Sequence, residues 1–173
     1  MKKLNLNLFS LLIIFFLSIT NIANSEEKFI NFFKNTAVVI DGDTIKIGNE
    51  KIRLFGIDAP EIKQICKDRN NDPYACGHRS KAYLEDLINY SSYSEIYCYY
   101  SEHDKYKRII GECFLGSESE ININRSMVRR GHAVAYIRYS KKYSEAQNQA
   151  KNDKVGIWAG TFDLPEEWRK KNK

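Results

Sequence analysis

The chain has 173 residues, a length suited to one domain, and 43% of them are hydrophobic, enough to build a core. Twenty-seven Lys and Arg against 22 Asp and Glu leave a net charge of +5. That mild excess permits contact with a polyanion but does not argue for one.

Lys2-Lys3 precede an apolar run from Leu8 to Ile19, and Ala23-Asn24-Ser25 offers small residues at a cleavage position. This is the pattern of a signal peptide over residues 1–25, too short for a comfortable membrane span. An uncleaved anchor is the competing reading. Cleavage near Ser25 implies a secreted or periplasmic protein, with one domain over 26–173 and its core at about 36–158. Glu26 to Lys34 shows no clear period.

From Thr36 to Ile57 the pattern is a strand pattern. Val38 and Ile40, Ile45 and Ile47, Ile52 and Leu54, then Phe55 and Ile57 alternate at period two. Asp41-Gly42-Asp43 is a turn signal, and Gly48-Asn49 is a hairpin signal. The expectation is a three-stranded meander carrying Asp41, Asp43, Asp58 and Glu61 at its first turn and its exit. If the sheet curls, those two ends meet. Converging carboxylates without Cys or His suit a hard cation such as Ca2+. Asp and Gly are also ordinary turn residues, and on composition alone that plainer reading stands ahead. An EF-hand loop fails, because the twelfth position from Asp41 is Ile52 where a bidentate Glu is required.

Glu61 to Gly77 reads as a long polar loop. Ser80 to Asn89 reads as a helix with Tyr83, Leu84, Leu87 and Ile88 on one face. Ile96, Cys98 and Tyr100 share one strand face, and Ile109, Gly111, Cys113 and Leu115 share another. Asn122 or Asn124 can cap a short helix that buries Met127 and Val128 and stops at Gly131. A third helix is expected over about Lys141 to Asp153. Trp158 reads as core or near-core, and Pro165 to Arg169 as a helical turn over the surface.

Four cysteines in an exported chain invite disulfides, and four allow three pairings. Cys66 and Cys76 flank a polar loop. A hairpin turning near Lys105-Tyr106 puts Cys98 opposite Cys113. The expected bridges are therefore Cys66–Cys76 and Cys98–Cys113. A four-thiolate zinc site is disfavoured, since no CxxC pair exists. His78, His103 and His132 lack metal-ligand spacing and read as surface or structural.

DGDT at 41–44, IRLFGIDAPE at 52–61, DKYKR at 104–108, MVRRG at 127–131 and GIW at 156–158 occur in this order. Together they resemble the staphylococcal nuclease (thermonuclease) family over roughly Thr36 to Trp158. The resemblance implies an α+β fold, an OB-fold five-stranded barrel with three helices. It implies a Ca2+-dependent phosphodiesterase on DNA and RNA, single-stranded or unstacked, working as a monomer and leaving 3′-phosphate ends. Asp43 and Asp58 match the two carboxylate metal ligands, and Ala59 matches a ligand acting through its backbone carbonyl. Asp41 and Thr44 fall in supporting positions around them. Glu61 matches the general base, with a solvated loop acid as its plainer reading. Arg53 and Arg108 match the two phosphate-binding arginines. Glu50 matches nothing and reads as a solvated hairpin acid. Tyr106 and either Tyr136 or Tyr139 are candidates to stack on a base. Lys107 stands where the family has Gly before the second arginine. A positive φ there would strain the turn and bear on the aim of Arg108.

Two rivals belong beside this reading. One is a non-catalytic OB-fold nucleic-acid-binding module. The other is an exported interaction protein with a structural Ca2+. A binding module has no need for all of Asp43, Asp58, Glu61, Arg53 and Arg108.

Overall fold

The computed structural model describes residues 28–116 and 120–173, so the expected signal peptide lies outside the described residues. The element order begins with β1 (Lys28–Phe33), a 3-10 turn (Lys34–Thr36), β2 (Ala37–Asp41), β3 (Thr44–Ile47), β4 (Glu50–Leu54) and β5 (Ile57–Asp58). It continues with β6 (Cys66–Lys67), β7 (Pro73–Tyr74), α1 (Cys76–Asn89), β8 (Glu95–His103) and β9 (Ile109–Leu115). It closes with β10 (Ile121–Asn122), α2 (Ile123–Arg129), β11 (Val134–Ala135), α3 (Ser144–Asn152), a 3-10 turn (Gly156–Ala159) and α4 (Pro165–Lys171).

The expected meander forms. Antiparallel β2–β3 and β3–β4 pairs place Ile45 beside Ile52, with Gly48-Asn49 as the tight turn. Parallel pairing of β4 with β9 joins this meander to the β8–β9 hairpin. The strand order β1-β8-β9-β4-β3-β2, with β10 on β9, curls into a half-barrel of OB-like character. The fold is α+β as expected, with four helices among the described residues rather than three. The lead-in without a clear period is edge strand β1, which pairs with β8 from Lys28–Tyr100 to Phe33–Glu95.

Burial follows the alternation. Ile45, Ile52, Leu54, Ile57, Ile96, Ile109 and Leu115 point into the core and meet Leu84, Ile88, Ile123 and Met127 from α1 and α2. The first strand departs from the pattern. Val39 is buried and Val38 is 61% exposed. A bulge between Val39 and Asp41 shifts the register, and an extra residue changes which side chains face inward. The α1 helix starts earlier than its apolar face suggests, at Cys76, and the loop before it contains the small β6–β7 hairpin. Residues 141–143 precede α3 as a turn, which leaves the Tyr143 ring buried.

Of the two candidate caps, Asn122 performs the task, accepting the Arg125 N–H at 2.8 Å. Asn124 is fully buried and braces backbone instead. Its amide donates to the Phe55 and Gly111 carbonyls at 2.9 and 3.1 Å, and its oxygen accepts the Cys113 N–H at 3.0 Å. It thereby satisfies polar groups where β9 passes the chain leaving β4.

Both expected disulfides are present. Cys98 and Cys113 are direct partners in the β8–β9 register, and Cys66–Cys76 clips the loop before α1. In the chain-entropy picture a loop of this size is worth about 3 kcal/mol. Replacing Cys98 and Cys113 together by Ala should lower unfolding free energy by about that much, measured by urea denaturation.

His132 gives a second expectation. Its ring stacks on Tyr83 at 4.0 Å between centroids. Burial, helped by Arg79 and Arg130, holds its pKa down at about 4. An unfolded histidine titrates near 6.5, so between those values the unfolded chain binds a proton that the native chain refuses. Stability from this group is present above about pH 6.5 and is lost as pH falls toward 4, at most roughly 3 kcal/mol. His132→Gln should flatten the thermal midpoint between pH 7 and 4 relative to the unaltered protein.

Candidate active site

The Asp41-Gly42-Asp43 turn is set by local chemistry. The Asp43 N–H donates to Asp41 Oδ1 at 3.0 Å, the side-chain-to-backbone bond that favours Asp in turns. Gly42 is required because the turn lies against α1: a Cβ there would stand 2.0 Å from Ser80 Oγ and 2.7 Å from the Ala59 Cβ. The turn therefore tucks Asp43 under the start of β3, where it is buried.

Arg53 leaves β4 opposite Thr44 and reaches two carboxylates. Its Nη1 donates to Asp43 Oδ1 at 2.7 Å and its Nη2 to Asp58 Oδ1 at 3.0 Å. Asp43 also accepts the Thr44 hydroxyl at Oδ1 and the Ala59 N–H at Oδ2, both at 3.0 Å. Burial pushes the pKa of Asp43 up, opposed by Arg53 and reinforced by Asp41. Burial also pushes Asp58 up, opposed by hydrogen bonds from Arg169. Burial works against the charge of Arg53 too, but Asp43 and Asp58 outweigh it and raise its pKa.

A cleft of about 550 Å³ opens over this cluster. It is lined by Asp41, Asp43, Arg53, Ala59, Glu61, Arg108, Tyr106, Tyr136, Tyr139 and Arg169, among others. The site residues expected from the sequence thus converge, with two exceptions. Thr44 lies beneath Asp43, as a supporting residue should. Asp58 lines an adjacent cavity of about 350 Å³ beneath α4, and meets the cleft through Arg53 and Arg169. Glu50 is exposed, as expected of a hairpin acid.

The opposite wall is built by the turn between β8 and β9. Lys107 has φ 64°, the left-handed conformation foreseen for this position. The turn is kept by Asp104, whose Oδ1 accepts the Tyr106 and Arg108 N–H groups at 2.9 Å each. Its Oδ2 takes Arg108 Nε and Nη2, both at 2.7 Å. Arg108 is thereby aimed along the cleft wall, with its guanidinium 5.7 Å from the Tyr106 ring centre. Tyr136 and Tyr139 both line the cleft, stacked on one another at 6.5 Å. The Tyr139 hydroxyl donates to Glu102, and burial with that bond pushes its pKa up to about 12.

Three contributors lay outside the sequence reading. Asp104 opens the DKYKR motif, whose residue types alone mark no role for it. Gln64 is fully buried, accepting the Glu61 N–H at 3.2 Å and donating to the Asp163 carbonyl at 2.7 Å. Arg169 belongs to the tail expected to lie over the surface. The helix forms there, but Pro165 is buried and Arg169 enters the cleft, bonding Asp58 and Glu61. No periodicity or motif marks that residue. The signal available was only a short helix with a basic end.

A curled sheet whose end gathers carboxylates and arginines over an open cleft is built to handle a charged, oxygen-rich ligand. Residues 51–160 match the family described as staphylococcal nuclease homologue, and the chain belongs to that family. It is 37% identical over 123 residues to the succinoglycan biosynthesis protein ExoI of Rhizobium meliloti, covering 70% of this chain and 62% of that protein. It is 34% identical over 151 residues to an uncharacterized endonuclease of Haemophilus influenzae, covering 81% of this chain and 76% of the relative. A micrococcal nuclease of Shigella flexneri is 30% identical over 150 residues, covering 78% and 79%. Membership of this family supports nuclease activity.

The Lys107 conformation carries an expected outcome. The left-handed region costs an L-residue roughly 1–2 kcal/mol, against about 0.5–1 kcal/mol of extra chain entropy for glycine. Lys107→Gly should raise unfolding free energy by about 0.5–1 kcal/mol in urea denaturation.

Proposed function

We propose that this chain is an exported, Ca2+-dependent nuclease that hydrolyses phosphodiester bonds of DNA and RNA in this cleft. The observation that carries the reading is the Arg53 bridge between buried Asp43, which lines the cleft together with Arg108, and buried Asp58 in the cavity beside it. The two disulfides favour an oxidising compartment, in keeping with export.

The donor chemistry suits the ion. Asp43, Asp58 and the Ala59 carbonyl form an all-oxygen set, and two carboxylates held away from water favour a strong positive charge beside them. Those residues would hold Ca2+, which when bound supplies charge to neutralise the scissile phosphate.

The rest falls to the side chains. Arg53 and Arg108 donate N–H groups to phosphate oxygens, with geometry suited to bidentate pairing. Charge that builds on those oxygens during attack is met by groups already in place. Glu61 accepts the proton of the attacking water at a carboxylate oxygen while that water's oxygen bonds to phosphorus. The P–O5′ bond breaks, its electron pair stays on the 5′ oxygen, and that oxygen takes a proton from solvent water. Tyr106, Tyr136 and Tyr139 give aromatic faces on which unstacked bases can rest, which favours single-stranded substrate.

The two acids should fail differently. Asp58→Ala removes a cation ligand, so excess Ca2+ should restore part of the lost rate. Glu61→Gln keeps shape but removes the proton acceptor, with an expected loss of roughly 10²–10⁴ in kcat that Ca2+ does not restore. Cleavage of a single-stranded DNA by both variants, with and without chelator, is the measurement. Nucleic-acid binding without cleavage, or cleavage indifferent to chelator, overturns the proposal.

A further inference from the structure

Arg169 occupies the acids that the cation would need. Its Nη1 and Nη2 donate to Asp58 Oδ1 and Oδ2, each at 2.9 Å, so both oxygens of that carboxylate are engaged. The same Nη1 donates to Glu61 Oε1 at 2.8 Å. Arg53 takes a further position on Asp58 Oδ1. Among the described residues, no group of three or more His, Cys, Asp or Glu side chains is placed to hold a metal ion. At Asp58 and Glu61 a guanidinium stands between the two carboxylates.

This contact is built. Arg169 rides on α4, which is anchored by buried Pro165, by the Gln64 bond to the Asp163 carbonyl, and by an Arg138–Glu166 ion pair. Gln64 also holds the Glu61 backbone, so the loop carrying Glu61 and the segment carrying Arg169 share one buried brace. The family match ends at residue 160, before α4 begins. Arg169 therefore lies outside the residues that the family model matches, whereas Asp58 and Glu61 lie inside them.

We propose that Arg169 is the resident counter-ion of Asp58 and Glu61, and that a divalent cation gains Asp58 by displacing it. This rests on the Ca2+ reading given above. With Arg169 in place, both Asp58 oxygens accept guanidinium N–H groups with which a cation must compete, and the Glu61 carboxylate is paired with a permanent positive charge. One side chain thus competes for both the cation ligand and the proton acceptor. The two opposing equilibria, Arg169 on Asp58 and cation on Asp58, set the apparent cation affinity.

The test is calorimetric titration of the whole protein with Ca2+ at neutral pH, comparing Arg169→Gln, Arg169→Lys and Arg108→Gln with the unaltered chain. Arg169→Gln should bind Ca2+ about tenfold more tightly or better, because nothing need be displaced. Arg169→Lys, which keeps the charge but loses the two-pronged pairing, should fall between. Arg108→Gln removes an equal charge from the same cleft without vacating Asp58, and should gain less than about threefold. Equal gains from Arg169→Gln and Arg108→Gln would reduce the effect to general electrostatics and overturn the proposal. Unchanged or weaker Ca2+ binding in Arg169→Gln would also overturn it, leaving the Ca2+ reading intact. If neither the unaltered chain nor Arg169→Gln binds Ca2+, both readings fall together.

Discussion

The site depends on Arg53 holding two aspartates that the fold has taken out of water. Removing a carboxylate from water is unfavourable unless a partner charge and hydrogen bonds replace the lost solvation. Here one guanidinium serves two acids, and Thr44 and the Ala59 N–H complete the shell around Asp43. The arrangement fixes three strands relative to one another, since Asp43 immediately precedes β3, Arg53 lies in β4 and Asp58 ends β5. An ion network of this sort adds little net stability. It keeps the two acids ordered at the site.

Much of the frame was legible because it is local. Period-two alternation located β2, β3 and β4, and the cross-strand position of Cys98 and Cys113 followed from reading two adjacent strands. The inward set on β2 was misjudged because a bulge inserts one residue, and one residue reverses the face. A turn after β11 sets both Tyr136 and Tyr139 on the cleft wall, a placement that their spacing in the sequence did not distinguish. Arg169 was illegible for a different reason. Its partner Asp58 is 111 residues away, and nothing in PEEWRKK announces what that helix will meet. Contacts of that range are products of the tertiary fold and leave no periodic trace.

The cleft has walls of unequal make. Its floor is the barrel end, braced by core residues and by backbone bonds such as Leu54 N–H to the Asp43 carbonyl at 2.8 Å. The Arg108 wall is a tight turn held by one carboxylate, Asp104, through four donors. The third wall is the terminal helix, fastened by a buried glutamine and a few exposed ion pairs. Rigidity therefore falls from floor to tail, and adjustment to a ligand belongs to the last two.

The parallel pairing of β4 with β9 has a further consequence, in the order of assembly. The meander carries Asp41, Asp43, Arg53 and Asp58, but its inner edge has no hydrogen-bonding partner until residues 109–111 arrive. Arg108 and the tyrosines come later still in the chain or with that same hairpin. No fragment stopping short of β9 can hold both sides of the cleft, and long-range closure of this kind is slow compared with the folding of local hairpins. The acids are thus laid down early in the chain and the groups on the Arg108 wall later, so the cleft is assembled only once β9 has paired.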